Sequence, residues 1–324
     1  MLLSYKKILV TGASAVLGTA IKDVSREYPG NDFIFTSSKE CDLTDARATV
    51  AFFEKHRPDA VVHLAAVSGG LGLSMKHPAT LLRDNLLMMI SVLEAARKVA
   101  VKKIIMTLTT GMYPPDAPLP LNEDDIHNGY PHPSNYGSSF AKRMVDPAIR
   151  AYREEYGMNL IGLVPSGIYG ENDNFNYEDA PMLPALIRRF YEHRHGNTPI
   201  VIWGDGTPLR EYTYSRDLAR IYFWALEQYN HAQVLNISTT EEHSVAHIAF
   251  LIAEIMGIDL GRIQFDTSKP NGVQRKNSDT HRLLNLLPFT YTPLREGLER
   301  TIQWFINAYE NHPEKVRLGH KFKN

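Results

Sequence analysis

Thr11-Gly12-Ala13-Ser14-Ala15-Val16-Leu17-Gly18 directly follows the apolar run Ile8-Leu9-Val10, and this stretch decides how the 324-residue chain is read. Gly12 and Gly18 take the first and last places of a Gly-x-x-Gly-x-x-Gly turn, with Ala15 in the middle. Such a turn lets backbone N–H groups approach a diphosphate at a helix N-terminus, where the aligned peptide dipoles favour negative charge. Ala15 is small, so it hinders that approach only slightly. Ser14, Val16 and Leu17 lie in the same turn and join Gly12, Ala15 and Gly18 as candidate cofactor contacts.

Outward from this turn the chain alternates strands and helices. Lys7 to Val10 reads as a buried strand, Leu17 to Tyr28 as a helix and Phe33 to Thr36 as a second strand. Asp45 to His56 reads as a helix and Ala60 to Ala65 as a third strand. Leu82, Leu86, Met89, Leu93 and Ala96 recur at spacings of four, three, four and three, the apolar stripe of a long helix lying on a sheet. A strand from Lys103 to Thr109, a helix from about Pro133 to Tyr156 and a strand from Asn159 to Val164 continue the pattern. An α/β fold is expected, a Rossmann-type doubly wound parallel sheet with right-handed crossovers. Residues 1–165 form mainly the cofactor-binding domain in this reading, and 166–324 a smaller lobe with some segments returning to the first.

Composition narrows the function. With 35 basic and 36 acidic side chains the formal charge is -1, so no global field draws the protein to nucleic acid or a membrane surface. The single cysteine, Cys41, excludes an internal disulfide framework and fits a reducing compartment. The start runs into a strand without a signal-like apolar region, and no apolar run approaches about 18 residues, so a cytoplasmic protein is expected.

The end of the second strand discriminates between dinucleotides. An acidic residue there hydrogen-bonds the ribose of NAD, whereas basic and hydroxyl groups accommodate a 2′-phosphate. Ser37, Ser38 and Lys39 therefore point to NADP(H), with Glu40 adjacent. Asp42 and Leu43 are placed for the adenine side, and Leu64, Ala65 and Ala66 for the cofactor wall after strand three.

Ser37-Ser38-Lys39, Asp42-Leu43-Thr44-Asp45, His63-Leu64-Ala65-Ala66 with Gly69-Gly70, and Ile126-His127-Asn128-Gly129 occur in one order. Ala141-Lys142-Arg143-Met144, Asp173-Asn174-Phe175-Asn176, Leu183-Pro184 and Trp203-Gly204 complete the series. Together these segments resemble the GDP-fucose synthases (GDP-4-keto-6-deoxymannose epimerase-reductases) of the extended short-chain dehydrogenases, over nearly the whole chain.

The resemblance implies hydride transfer from NADPH to a C4 ketone after epimerisation at C3 and C5. A tyrosine gives the proton, a hydroxyl holds the carbonyl and a lysine binds the nicotinamide ribose. Thr109 and Lys142 fill the last two places, but Ser138 stands where the tyrosine belongs. A positioned acid is worth roughly 10²–10⁴ in rate, so its absence is severe. Tyr136 is a substitute phenol only if the helix begins irregularly, because a residue two positions earlier faces elsewhere; Tyr113 is another nearby phenol.

The family's acid/base cysteine corresponds to Gly111, its histidine to Pro181 and the asparagine of its Pro-Thr-Asn segment to Gly167. Pro165 and Ile168 flank that segment on the cofactor side. For the GDP-sugar, the resemblance implicates Thr110, Asn174, Arg188, Trp203, Arg210, Asn271 and Lys276, Asn271 being a departure if the family uses a carboxylate there. Arginine forks suit a diphosphate and an indole suits stacking.

His243 with His247, and His193 with His195, have spacings that can bind metal, but no Glu or Cys completes either site, and no metal is expected. Three readings follow. The first is an NADP(H)-dependent reductase at C4 of a GDP-4-keto-6-deoxy hexose or heptose, without C3/C5 epimerisation, using Tyr136 or water as the acid. The others are a GDP-sugar C4 dehydrogenase and a nucleotide-sugar or cofactor-binding pseudoenzyme. The resemblance also implies a homodimer through the helices around Leu82–Val99 and Pro133–Tyr156.

Overall fold

A computed structural model describes residues 2–319. Six parallel strands form the main sheet. Five of them are β1 (Lys7–Thr11), β2 (Asp32–Thr36), β3 (Ala60–His63), β4 (Lys103–Thr107) and β5 (Leu160–Pro165). The order across the sheet is Leu235–Ile237, β5, β4, β3, β1, β2, every neighbouring pair being parallel. Strand order reverses between β1 and β3, so a crevice opens above the carboxyl ends of these strands, and a ligand site is expected there.

Alternation along β1 shows why the sheet is covered on both faces. Ile8 and Val10 pack with Ile21, Val62, Ile105 and Leu218, while Leu9 packs on the other side with Phe53, Val61, Val92 and Leu160. Helix α1 (Val16–Val24) and the helix Ser215–Gln228 cover the first face. The second is covered by α2 (Ala46–His56), reached before the short α3 (Leu71–Lys76), by α4 (Pro78–Lys98), and by α5 (Tyr136–Arg143) continuing into α6 (Val145–Tyr156). Asp45 caps α2 by accepting from the N–H groups of Arg47 and Ala48, satisfying two orphan donors of its first turn.

The continuous helix expected from Pro133 to Tyr156 is instead a 3-10 turn (Pro133–Asn135) followed by α5 and α6, parted at Met144. Pro147 explains the break. It has no N–H for the Arg143 carbonyl, and it sits in the first turn of α6, where that donor would be unpaired anyway. Likewise the helix expected to reach Tyr28 stops at Val24, and Ser25–Glu27 is a 3-10 turn.

A third core, with Phe175, Leu183, Ile187, Ile202, Ile252 and Phe305, holds the lobe. Its strand Leu209–Glu211 lies between the antiparallel Glu242–Ser244 and the parallel Arg275–Lys276. This small sheet sets Lys276 beside Arg210. No helix among the described residues is long and apolar enough to cross a membrane.

Candidate active site

The Gly-rich turn is fixed by contacts that exclude a side chain. Gly12 has φ +70°, and a Cβ there would lie 2.7 Å from the Ala65 nitrogen. A Cβ on Gly18 would lie 2.5 Å from the Gly12 oxygen, so this glycine lets α1 pack onto the turn. Ala15 is the extended N-cap of α1 and offers no side-chain cap, leaving the first N–H groups of the helix for water or an anion. Thr11 Oγ1 lies 2.8 Å from His63 Nδ1 and accepts from the Ala65 N–H at 3.3 Å, tying the ends of β1 and β3 together. Burial, with Lys142 nearby, pushes the His63 pKa down to about 3, so its ring is neutral.

At the end of β2 the carboxylate of Glu40 turns back to accept from both the N–H and the hydroxyl of Ser37. It is held in its charged form by those bonds, below the usual carboxylate range. Ser38 and Lys39 are exposed beside it. Asp42 accepts from the N–H and hydroxyl of Thr44, and Leu43 is buried in the core behind β1.

Above the strand ends lies a cavity of about 700 Å³. Leu64, Ala66, Pro165 and Ile168 line it on the cofactor side, and Thr109, Thr110, Ser138 and Lys142 at its centre. Lys142 Nζ donates to the Thr107 carbonyl at 2.8 Å, and burial pulls its pKa down to about 8. Thr109 accepts from the Gly111 N–H at 3.3 Å and caps the 3-10 turn Thr110–Met112. Ser138 donates to the Asn135 carbonyl at 3.1 Å. Gly111, Gly167 and Pro181 also line the cavity, so the four departures at reacting-centre positions converge on one space.

At the far end Arg210 and Lys276 line the same cavity, both with pKa values lowered by burial. Beside them Glu211 is pushed up by burial while accepting from Ser278 Oγ at 2.7 Å and from the Ser278 N–H at 3.0 Å. Buried cations facing a cavity favour an anionic guest, because each regains by pairing what it lost by desolvation.

The remaining expected residues lie off the cavity wall. Arg188 donates to Glu192 at 2.8 Å and to the Phe175 carbonyl at 2.9 Å and packs over Tyr177. Asn174 donates to Asp179 at 3.0 Å, and Asn271 accepts from the Asp205 N–H at 2.8 Å. Trp203 is exposed with Lys269 over its ring. Neither substitute phenol lines the cavity. Tyr136 begins α5 exposed, its ring edge-on to Phe140, and Tyr113 is buried and donates to Asn236 at 2.7 Å. His243 and His247 stack with ring centres 5.1 Å apart, and no cluster of three metal-ligating side chains occurs among the described residues.

Asn135, Ser139 and Tyr212 are among the cavity residues that escaped the sequence reading. Asn135 and Ser139 lie within the stretch expected to be helical from Pro133 to Tyr156 but bear no charge or motif position. Tyr212 follows Arg210-Glu211 and becomes visible only once the lobe strand is seen to face the cavity. Burial raises its pKa, partly offset by Arg210, and it therefore stays a neutral hydrogen-bond donor.

Comparison with known proteins supports the family and the fold. GDP-L-fucose synthase of Dictyostelium discoideum is 38% identical over 312 residues, covering 95% of this chain and 97% of the relative. The crystal structure of a GDP-L-fucose synthetase from Naegleria fowleri bound to NADP superposes with a TM-score of 0.90 at 32% identity, covering 98% of both chains. A GDP-mannoheptose C4 reductase from Campylobacter jejuni with NADP bound shares the fold, with a TM-score of 0.85 at 23% identity over 94% of this chain and all of the other. The profile of the NAD dependent epimerase/dehydratase family matches residues 8–238, and the chain belongs to that family.

Proposed function

We propose that this protein is an NADP(H)-dependent oxidoreductase acting at C4 of a GDP-sugar, without epimerising C3 or C5. One observation carries the reading. Lys142 and Thr109 share a cavity with the anion-favouring pair Arg210 and Lys276, while Gly111 and Pro181 on its wall have no group able to move a proton. The N-terminus of α1 would hold the cofactor diphosphate, Ser37, Ser38 and Lys39 its 2′-phosphate, and Lys142 its nicotinamide ribose. When bound, the cofactor supplies the hydride. Thr109 and Ser138 hold the C4 oxygen, and since neither hydroxyl is an acid near neutrality, the proton comes through them from water. With Gly111 and Pro181 standing where the resembled pattern has its two acid/base groups, C5 keeps its configuration. The protein pairs with a second copy through α4 and α5–α6, where Leu87, Ile90, Met144 and Tyr156 are exposed.

The test is NADPH oxidation with a GDP-4-keto sugar in deuterated buffer. Turnover without deuterium at C3 or C5 supports the reading, and deuterium at either carbon refutes it. Saturable binding of both ligands with no oxidation would leave a binding protein, a reading favoured by the absence of a phenol at Ser138.

A further inference from the structure

Gly111 marks a point where three polar side chains converge. A Cβ placed on it would lie 3.1 Å from Asn135 Nδ2, 3.4 Å from Ser139 Oγ and 3.7 Å from Thr109 Oγ1. All four residues line the cavity above the strand ends. Ser139 is 1% exposed, yet its hydroxyl has no hydrogen-bond partner among the described residues, and neither does the buried Asn135 Oδ1. Buried polar atoms are almost always paired, so two orphans on residues that line one cavity call for a ligand group that pairs with them.

Its chemistry follows from what the two atoms need. Asn135 Oδ1 accepts, and Ser139 Oγ can donate or accept. A hydroxyl meets both requirements, giving its proton to the amide oxygen and taking one from the serine, whereas a methyl group or a bare C–H leaves both unmatched. Resting on the proposed C4 chemistry, we infer that Asn135 and Ser139 form a specificity cradle for a sugar hydroxyl next to C4. The glycine at 111 provides the space. Ring carbons flanking C4 carry two such groups, the C3 hydroxyl and the C6 hydroxyl of a C5 arm, and the shared chemistry is a hydroxyl in either place. The cradle therefore discriminates against the sugar that is deoxy at the position it reads.

The experiment measures dissociation constants of GDP-mannose, its 6-deoxy analogue and its 3-deoxy analogue on protein loaded with NADPH, so that no oxidant is present. One of the two deoxy sugars is expected to bind about ten- to a hundredfold more weakly than GDP-mannose, since its loss leaves buried partners unpaired. Which one does so identifies the hydroxyl. Asn135→Ala with Ser139→Ala should abolish that difference, and so should Gly111→Ala, whose methyl enters the cradle itself. NADPH affinity reports that each variant is folded. Equal binding of all three sugars to the parent, or a preference that survives in the variants, overturns the inference and leaves the C4 reading standing. Failure of every GDP-sugar to bind while NADPH still does overturns both.

Discussion

Ser138→Tyr should convert a slow reductase into a fast one. Ser138 lies one helical turn before Lys142 on the same face of α5, and both line the cavity. A phenol there would extend toward the hydroxyl of Thr109, with a desolvated ammonium nearby to stabilise its phenolate and lower its pKa. A positioned acid contributes roughly 10²–10⁴ in rate, or about 2.7–5.4 kcal/mol of transition-state stabilisation. The substitution removes the Ser138 hydrogen bond to the Asn135 carbonyl, 3.1 Å long. Such a bond is worth a net ~0.5–1.5 kcal/mol, and its loss weakens the start of α5 without touching the chemistry. The assay follows loss of nicotinamide absorbance with a GDP-4-keto sugar, beside separate measurement of NADPH affinity. A gain in kcat of about a hundredfold or more is expected, and it should vanish when Lys142→Met is added, because the two groups act as a unit. A gain below about tenfold with cofactor affinity intact would show that a phenol was never what the reaction lacked.

Other perturbations separate the roles of neighbouring groups. Gly12→Ala puts a Cβ 2.7 Å from the Ala65 nitrogen at a positive φ, so thermal unfolding should show a loss of about 1–3 kcal/mol and NADPH binding should fall at least about tenfold. Lys142 has a pKa lowered from 10.5 to about 8, so it is charged below that value and neutral above it. Because the charged form attracts an anionic cofactor, NADPH affinity should fall as pH rises through about 8, and a titration of Lys142→Met should be flat over the same range. Tyr136→Phe should leave turnover within about twofold, since that ring is exposed, whereas Tyr212→Phe should weaken GDP-sugar binding about two- to tenfold by removing a donor inside the cavity. A large effect of Tyr136→Phe on turnover would reinstate it as the proton donor.

The sheet was legible because its signals are local. Five apolar strands, a Gly-rich turn after the first and a helical stripe from Leu82 to Ala96 each follow from a few consecutive residues, and the structure places them in the expected order. Proline was the point missed within the helices. Pro147 was hidden inside a segment of otherwise helical composition, and it divides that segment at Met144. The centre of the site was legible for a different reason, since Thr109, Ser138 and Lys142 belong to motifs of fixed spacing. Its walls were less so. Arg188 is held by Glu192, an i, i+4 partner on the helix Met182–Glu192 that the motif-based reading passed over, and Ser139 and Asn135 matter only because Gly111 brings a turn from a different element against them.

The four altered positions around the sugar differ in what it would take to reverse them. Gly111 has an ordinary φ and could carry a Cβ with neighbours no closer than 3.1 Å, and Ser138 opens directly onto the cavity. Gly167 is another matter. Its φ is +58° and a Cβ would lie 1.9 Å from the Glu211 carbonyl oxygen, because the backbone of Ile168–Tyr169 pairs closely with Thr213–Tyr214. Grafting asparagine there would require the two strands to part, so the change at Gly167 is built into the backbone. Pro181, at the N-cap of the helix Met182–Glu192, is likewise a backbone choice as much as a lost side chain. A site that had merely lost its acids would have kept the backbone that once presented them. Here the main chain is closed around glycine at one side of the reacting centre, while Asn135, Ser139 and Thr109 stand beside glycine at the other, so restoring the resembled pattern takes more than replacing side chains.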